Sequence, residues 1–340
     1  MKAFVLDSRP DGYGVRDYPD PTPKPGEAVM RVRASSINRV DLYMRNSGAG
    51  ITHKLPLVLG VDGAGEIVEA PPESGLKPGQ RVTYHGPYCG RCRYCREGET
   101  PLCLRPSIAG EHRDGAYAEY MSLPAHVFTP LPDEVSFADA GALGAAYVTA
   151  WRMMFGKRAL RPSESVLIVG VGGGVAVACL QLASMIGARA IVTSSSDAKL
   201  ARAKTLGADA GINYRTAPNV AEQVLELTKG EGVDMVIDSV GEASWGQSLR
   251  SLRRGGRIVT CGATTGSNPP VEIQRMFIRQ LEVYGSTGGN QEEAREMMAL
   301  CASGKIKPII DQTYSLLDIG QAYDRLEKGE QFGKLSIRVD

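Results

Sequence analysis

The chain has 340 residues, 43% hydrophobic and 23% charged, and its 39 Lys plus Arg against 38 Asp plus Glu leave a formal net charge of +1. That length suits two domains better than one, and the apolar share supplies a sizeable core. The charge balance offers no basic footprint for nucleic acid or an anionic membrane surface, so neither is expected as a partner.

In chain order, Met1-Lys2-Ala3-Phe4-Val5-Leu6-Asp7 meets an acid too early to hold a secretory apolar core. The first 120 or so residues read as short strands and turns: Ala28–Ala34 and Gly65–Ala70 alternate like half-buried strands, and Lys77-Pro78-Gly79-Gln80-Arg81-Val82 is a turn feeding another. Pro124, Pro130 and Pro132 mark a crossing between domains, and Ala138–Met154 reads as a helix. Strand and helix patterns then alternate: Ser165–Val169 strand, Val175–Ile186 helix, Ala190–Thr193 strand, Asp197–Thr205 helix, with further strands at Val233–Ile237, Arg257–Cys261 and Leu281–Tyr284. Such alternation implies a parallel, doubly wound sheet with right-handed crossovers. The tail continues with a helix at Glu292–Ala302, the segment Lys307–Ile310, another helix and a closing strand at Lys334–Val339. Ser165 to Ala188 carries no charge over 24 residues, nominally enough to span a membrane, but five glycines, Gln181 and Ser184 argue for a strand, a turn and a buried helix.

Of seven cysteines, Cys89, Cys92, Cys95 and Cys103 fall within fifteen residues, while Cys179, Cys261 and Cys301 are scattered in apolar contexts. The spacing Cys-x2-Cys-x2-Cys-x7-Cys can surround one tetrahedral zinc, and Gly90 and Gly98 let the loop fold around it. Four thiolates leave no open coordination position, so one structural zinc per chain is expected, in a reducing compartment and by default the cytoplasm. The alternative is four free or disulfide-paired cysteines.

Val166-Leu167-Ile168-Val169 runs into Gly170-Val171-Gly172-Gly173-Gly174-Val175-Ala176 and then a helical pattern. A glycine turn between strand and helix lets backbone N–H groups approach a pyrophosphate. The match to the usual fingerprint is imperfect, because its third position, counted from Gly170, holds Val175. The next strand ends in Thr193-Ser194-Ser195-Ser196-Asp197, where NAD enzymes usually place an acid on the ribose 2′-OH. Hydroxyls there, with Lys199 and Tyr214 beyond, suit a 2′-phosphate, so NADPH is expected rather than NADH; the alternative is that these residues only cap the following helix. Val240 and Gly262, after the later strands, complete the expected cofactor set.

These features, with Leu59-Gly60-Val61-Asp62-Gly63-Ala64-Gly65, Leu206-Gly207-Ala208-Asp209 and Gly255-Gly256-Arg257-Ile258-Val259, resemble the medium-chain dehydrogenase/reductase family over essentially the whole chain. The resemblance implies an α/β architecture. Its parts are a chaperonin-10-like, β-rich catalytic domain at 1–132 (zinc lobe 89–103), a Rossmann domain at 133–288 and a return to the catalytic domain at 289–340. It also implies substrate bound in a cleft, Thr149 beside the nicotinamide, and a homodimer or homotetramer often joined through a Rossmann edge strand, here Leu281–Tyr284. A threonine on a buried helix can equally bond its own backbone.

Zinc alcohol dehydrogenases of this family carry a Cys within the segment matching Ser36–Asp41, Gly-His-Glu where this chain has Gly60-Val61-Asp62, and a further ligand near Leu143–Ala146. Here those places hold Asn38, Val61, Asp62 and Gly144-Ala145-Ala146, which resembles instead the quinone-oxidoreductase-like branch, although that branch mostly lacks the cysteine lobe. The reading is an NADPH-dependent reductase of activated alkenes or quinones, with a small carbonyl, enone or quinone substrate and no catalytic zinc. Asn38 is the expected donor to a substrate carbonyl, Asp41 and Asp62 its neighbours, and His112 or water the proton source; each has a bland alternative, Asn38 satisfying backbone groups and His112 simply solvated. His53, His85 and His126 are read as structural. The rivals are a zinc alcohol/aldehyde dehydrogenase using Asp62, Asp41, Glu111 or His112 as unorthodox ligands, and a non-catalytic NADPH-binding protein.

Overall fold

The computed structural model describes residues 1–8, 11–47, 54–86 and 88–340. They form two compact units, Met1–Val148 with Gly289–Asp340, and Thr149–Gly288. Numbered along the chain, the strands are β1 (Lys2–Ser8), β2 (Gly12–Asp17), β3 (Glu27–Ile37), β4 (Leu57–Val58), β5 (Ala64–Glu69), β6 (Arg81–Tyr84), β7 (Tyr120–Pro124) and β8 (Phe128–Pro130). The second unit contributes β9 (Ser165–Ile168), β10 (Arg189–Ser194), β11 (Ala210–Asn213), β12 (Val233–Asp238), β13 (Leu252–Thr260) and β14 (Glu282–Gly285). The chain then returns to the first unit for β15 (Ile310–Ser315) and β16 (Lys334–Arg338).

In the first unit the main sheet runs β15-β16-β3-β5-β6-β8, with β7 also paired to β3, and a smaller sheet runs β2-β1-β4. The closing strand lies antiparallel to β3, so that Ser336 faces Ser36 and Leu335 faces Ile37. Phe4, Leu6, Met30, Leu59, Ile67, Tyr117, Tyr323 and Ile337 belong to one buried cluster, and the Phe4 and Tyr323 rings stack at 5.2 Å. The sequence assigned 133–148 to the Rossmann domain, but the structure puts these residues in the first unit. The reason is packing: the Phe137–Leu143 helix lies on β3 and β16 with Ala140, Gly141, Ala142 and Leu143 buried.

The expected helix over Ala138–Met154 is two helices, Phe137–Leu143 and Ala146–Phe155. The break has a cause. The Ala145 N–H donates to Asp62 Oδ1 at 2.5 Å, and a Cβ on Gly144 would sit 2.5 Å from that oxygen. A buried carboxylate therefore takes the place of continuous helix at this point.

The second unit is a parallel sheet of order β11-β10-β9-β12-β13-β14 with helices between successive strands. Leu167, Ile191, Val236, Ile258 and Trp245 make its buried cluster. The uncharged Ser165–Ala188 stretch is β9, the glycine turn and the Gly174–Ile186 helix. Among the described residues no helix is long and apolar enough to cross a membrane.

Candidate active site, cofactor turn and metal lobe

Three of the predicted catalytic residues meet at the end of β3. Asp62 is 2% exposed, and its Oδ2 accepts from Ser36 Oγ and Asn38 Nδ2, each at 2.8 Å, while Oδ1 takes the Ala145 N–H. Lys334, brought in by the closing strand and equally buried, lies 3.5 Å from Asp62 Oδ2. Its ammonium donates to the Ile37 carbonyl at 3.1 Å and to Asn38 Oδ1. Burial pushes the Lys334 ammonium down, and the Asp62 and Asp41 charges oppose that. A buried carboxylate with a buried cation and three hydrogen-bond donors is a satisfied structural pair.

This arrangement corrects the part assigned to Asn38. Its amide nitrogen donates to Asp62 Oδ2 at 2.8 Å and to the Ser36 carbonyl at 3.2 Å, so both hydrogens are committed and the group is no free donor to substrate. Asn38 positions its neighbours instead. Asp62 likewise has both oxygens occupied and a buried ammonium beside it. Lys334 escaped the sequence reading, though a lysine sharing a strand face with Ser336 among Leu335 and Ile337 was the available signal.

Asp41, in the first turn of the Arg39–Asn46 helix, is fully buried. Its Oδ2 accepts the Asn38 N–H at 2.8 Å, whereas Oδ1 has no hydrogen-bond partner. Burial is the main cause that pushes this carboxyl up to about 7, with the Asn38 N–H opposing and the nearby Asp62 charge adding to it. Glu111 is half-buried and is also pushed up to about 7, by burial first and then by Asp41. Beside it, His112 has a buried Nδ1 without a partner, and burial lowers its pKa. At neutral pH His112 is therefore a neutral imidazole, a poor source of the proton assigned to it. His85 Nε2 lies 2.6 Å from the Gly289 carbonyl. His53 lies outside the described residues.

In the second unit the predicted cofactor residues gather at the carboxyl ends of the strands, where β9 turns outward to β10 and β12 to β13. Gly170 and Gly172 take positive φ of 76° and 130°, and the Gly174–Ile186 helix starts from Gly173 with no side-chain cap. Its first N–H groups thus point to an open N-terminus suited to an anion. Gly170 N–H donates to Thr193 Oγ1 at 3.0 Å, a Cβ on Gly170 would touch Val240 at 3.4 Å, and one on Gly262 would press within 2.9 Å of the Ser239 carbonyl. Val175 lies in the first turn of that helix, and Thr149 is buried in Ala146–Phe155.

The serine run divides in function. Ser196 Oγ caps the Asp197–Thr205 helix through the Lys199 N–H, and buried Ser194 Oγ accepts the Ser196 N–H at 3.3 Å. Ser195 is half-buried at the strand end, Lys199 is half-buried in the first turn of the Asp197–Thr205 helix, and Tyr214 is 44% exposed at the end of the neighbouring strand. Capping thus accounts for Ser196 and in part for Ser194.

In the cysteine lobe the Sγ atoms of Cys89, Cys92, Cys95 and Cys103 all lie within 4.8 Å of one another, with Cys92 to Cys95 at 3.5 Å and Cys89 to Cys95 at 3.9 Å. A Zn–S bond of about 2.3 Å requires tetrahedral sulfur separations of about 3.8 Å, so the four fit one zinc. The N–H groups of Cys89 and Arg105 point at Cys103 Sγ from 3.3 and 3.4 Å, as they would at a thiolate. Gly90 and Gly98 both carry positive φ, as the turns around the metal require.

Two family models match: an alcohol dehydrogenase GroES-like domain over residues 24–133 and a zinc-binding dehydrogenase over residues 174–303. An alcohol dehydrogenase of Geobacillus stearothermophilus is 32% identical over 343 residues, covering 100% of both chains. The chain belongs to the zinc-type medium-chain dehydrogenase/reductase family. An acryloyl-coenzyme A reductase of Metallosphaera sedula is 32% identical over 342 residues, covering 99% of each chain. A crystal structure of an NAD-dependent alcohol dehydrogenase superposes with a TM-score of 0.95 at 38% identity, covering 100% of both chains.

As a member of this medium-chain family, the protein is an NAD(P)H-dependent oxidoreductase with the GroES-like and Rossmann architecture. Among the described residues the cysteine lobe is the only group of three or more His, Cys, Asp or Glu side chains close enough to share a metal ion. The unorthodox set Asp62, Asp41, Glu111 and His112 is not assembled as a ligand cluster.

Proposed function

We propose that this enzyme uses NADPH to reduce the activated C=C bond of an enone, enal or quinone, with a structural zinc in the cysteine lobe and no catalytic zinc. The observation that carries the reading is the Asn38–Asp62–Lys334 cluster. Where the zinc alcohol dehydrogenases keep ligands, this chain has a committed amide, a valine, and a carboxylate already paired with a buried lysine. The acryloyl-coenzyme A reductase among its relatives supports an alkene as substrate class.

When bound, NADPH supplies the hydride. The Gly170–Val175 turn and the helix behind it would hold the pyrophosphate, and Ser195, Lys199 and Tyr214 the 2′-phosphate, with no acid at the end of β10 to repel it. With the Asn38 hydrogens committed, stabilising the developing oxyanion falls to a backbone N–H. We further propose a homodimer or homotetramer joined along β14.

The test is reduction of an enone with deuterium-labelled NADPH, alongside zinc stoichiometry. Label on the β-carbon of a saturated product, about one zinc per chain and a rate indifferent to brief chelation are expected. Label on a carbinol carbon with two zincs per chain would instead establish the alcohol-dehydrogenase reading, and no turnover of any acceptor the non-catalytic one. NADPH should be favoured over NADH by about tenfold or more, and Lys199→Glu should erase that preference.

A further inference from the structure

Reduction of an alkene needs a proton at the α-carbon as well as a hydride at the β-carbon, and none of Asn38, Asp62 and His112 is placed to give one. We propose that Glu111 delivers this proton and is a catalytic residue of the enzyme, an inference that rests on the alkene-reductase reading above.

The first support is mechanical. Glu111 sits on a turn clamped to the Gly60-Val61-Asp62 segment. Gly115 and Ala116 donate N–H groups to the Val58 and Gly60 carbonyls at 2.9 and 3.0 Å, and Gly110 N–H closes the turn onto the Arg113 carbonyl at 2.8 Å. The backbones touch: a Cβ on Gly110 would lie 2.7 Å from Gly60 main-chain atoms, and one on Gly115 would lie 2.2 Å from the Gly60 carbonyl. The turn thus cannot drift from the segment where related enzymes carry a zinc-binding histidine, and a group on it is held to a fixed place.

The second support is the state of the carboxyl. Among the described residues no hydrogen bond or ion pair engages the Glu111 side chain, although it is half-buried. Asp41, close enough for its charge to act on Glu111, is fully buried with Oδ1 unpartnered. Burial is the main cause that pushes each carboxyl up to about 7, and the Asp41 charge adds to the push on Glu111. Glu111 is the more accessible of the two.

The chemistry balances. The β-carbon receives the hydride and the π pair moves to the carbonyl oxygen as an enolate. As the carbonyl re-forms, the α-carbon takes the proton from the Glu111 O–H. The carboxylate left behind is reprotonated from water, so one hydride and one proton are consumed per alkene.

The test compares wild type, Glu111→Gln and Glu111→Asp on one enone and one nitroalkene with NADPH. Glu111→Gln is expected to lower kcat on the enone about a hundredfold with little change in KM, and Glu111→Asp to restore most of it. The nitroalkene should suffer much less, because its product leaves as a stable nitronate that needs no acid. Infrared difference spectra of the substrate-free protein at pH 6 should lose one protonated carboxyl band in Glu111→Gln. If wild type reduces the enone and Glu111→Gln keeps kcat within twofold, or if both substrates lose equally, Glu111 is not the proton donor while the alkene reading stands. If wild type reduces no enone, the alkene reading itself falls.

Discussion

Asp41 and Asp62 follow one another into the interior of the same unit, yet only Asp62 acquires a cation and a full set of donors. Removing that cation should be costly. Lys334→Met leaves Asp62 charged and unneutralised, and a loss of about 3–5 kcal/mol in urea unfolding is expected, much of it recovered in the double variant with Asp62→Asn. Asp41 makes a prediction of different sign. Its carboxyl is raised from 3.8 to about 7 in the fold, so between those values the native state holds a proton that the unfolded chain has lost. Its contribution is complete below about pH 4 and declines as pH rises toward 7, by up to about 1.4 kcal/mol per pH unit. Asp41→Asn, which keeps an acceptor for the Asn38 N–H, should flatten that part of the stability–pH curve; an unchanged slope would mean that Asp41 is ionised in the fold. Asn38, Asp41 and Asp62 could all be singled out in the sequence because they match family positions. What the sequence hid was their partners, since Lys334 meets Asn38 from 296 positions away.

At the scale of elements, periodicity read the second unit closely: Asp197–Thr205 is a helix with the expected bounds, and the strand cores at β9, β10 and β12 fall where the apolar runs placed them. Those segments are set by local pattern and by burial on both sheet faces. The reading failed where a distant group intervened. Within Ala138–Met154 the glycines Gly141 and Gly144 are the only local hint of a break, and the acceptor that claims the Ala145 N–H is the distant Asp62. The segment expected at Lys307–Ile310 is instead β15, Ile310–Ser315, whose pairing with β16 fixes its start. If the break is imposed as described, Gly144→Ala should destabilise the protein by about 1–3 kcal/mol through collision with Asp62, although alanine favours helix. A neutral or stabilised thermal midpoint would show that the carboxylate yields easily.

At the scale of the whole molecule, the Rossmann sheet ends on β14, an edge strand with Val283 41% exposed. Beside it in sequence, Ile273, Phe277 and Ile278 are 70, 65 and 50% exposed, an apolar display uncommon on a solitary subunit. Phe277→Glu with Val283→Lys should convert the proposed dimer or tetramer to smaller species in sedimentation, with the fold retained. An unchanged assembly would remove this edge from the interface.

The order of strands in the first unit also bears on how the protein is made. β16 lies between β15 and β3 in the main sheet, and it carries the only cation placed against Asp62 among the described residues. A nascent chain therefore emerges with β3, β5 and the Asp41 and Asp62 carboxylates exposed while the whole of 149–288 is synthesised. Until the strand that carries Lys334 leaves the ribosome, the sheet that bears the Asn38–Asp62 cluster has an open seam. A translation product that stops short of Lys334 would keep a complete Rossmann unit and no closed chemistry.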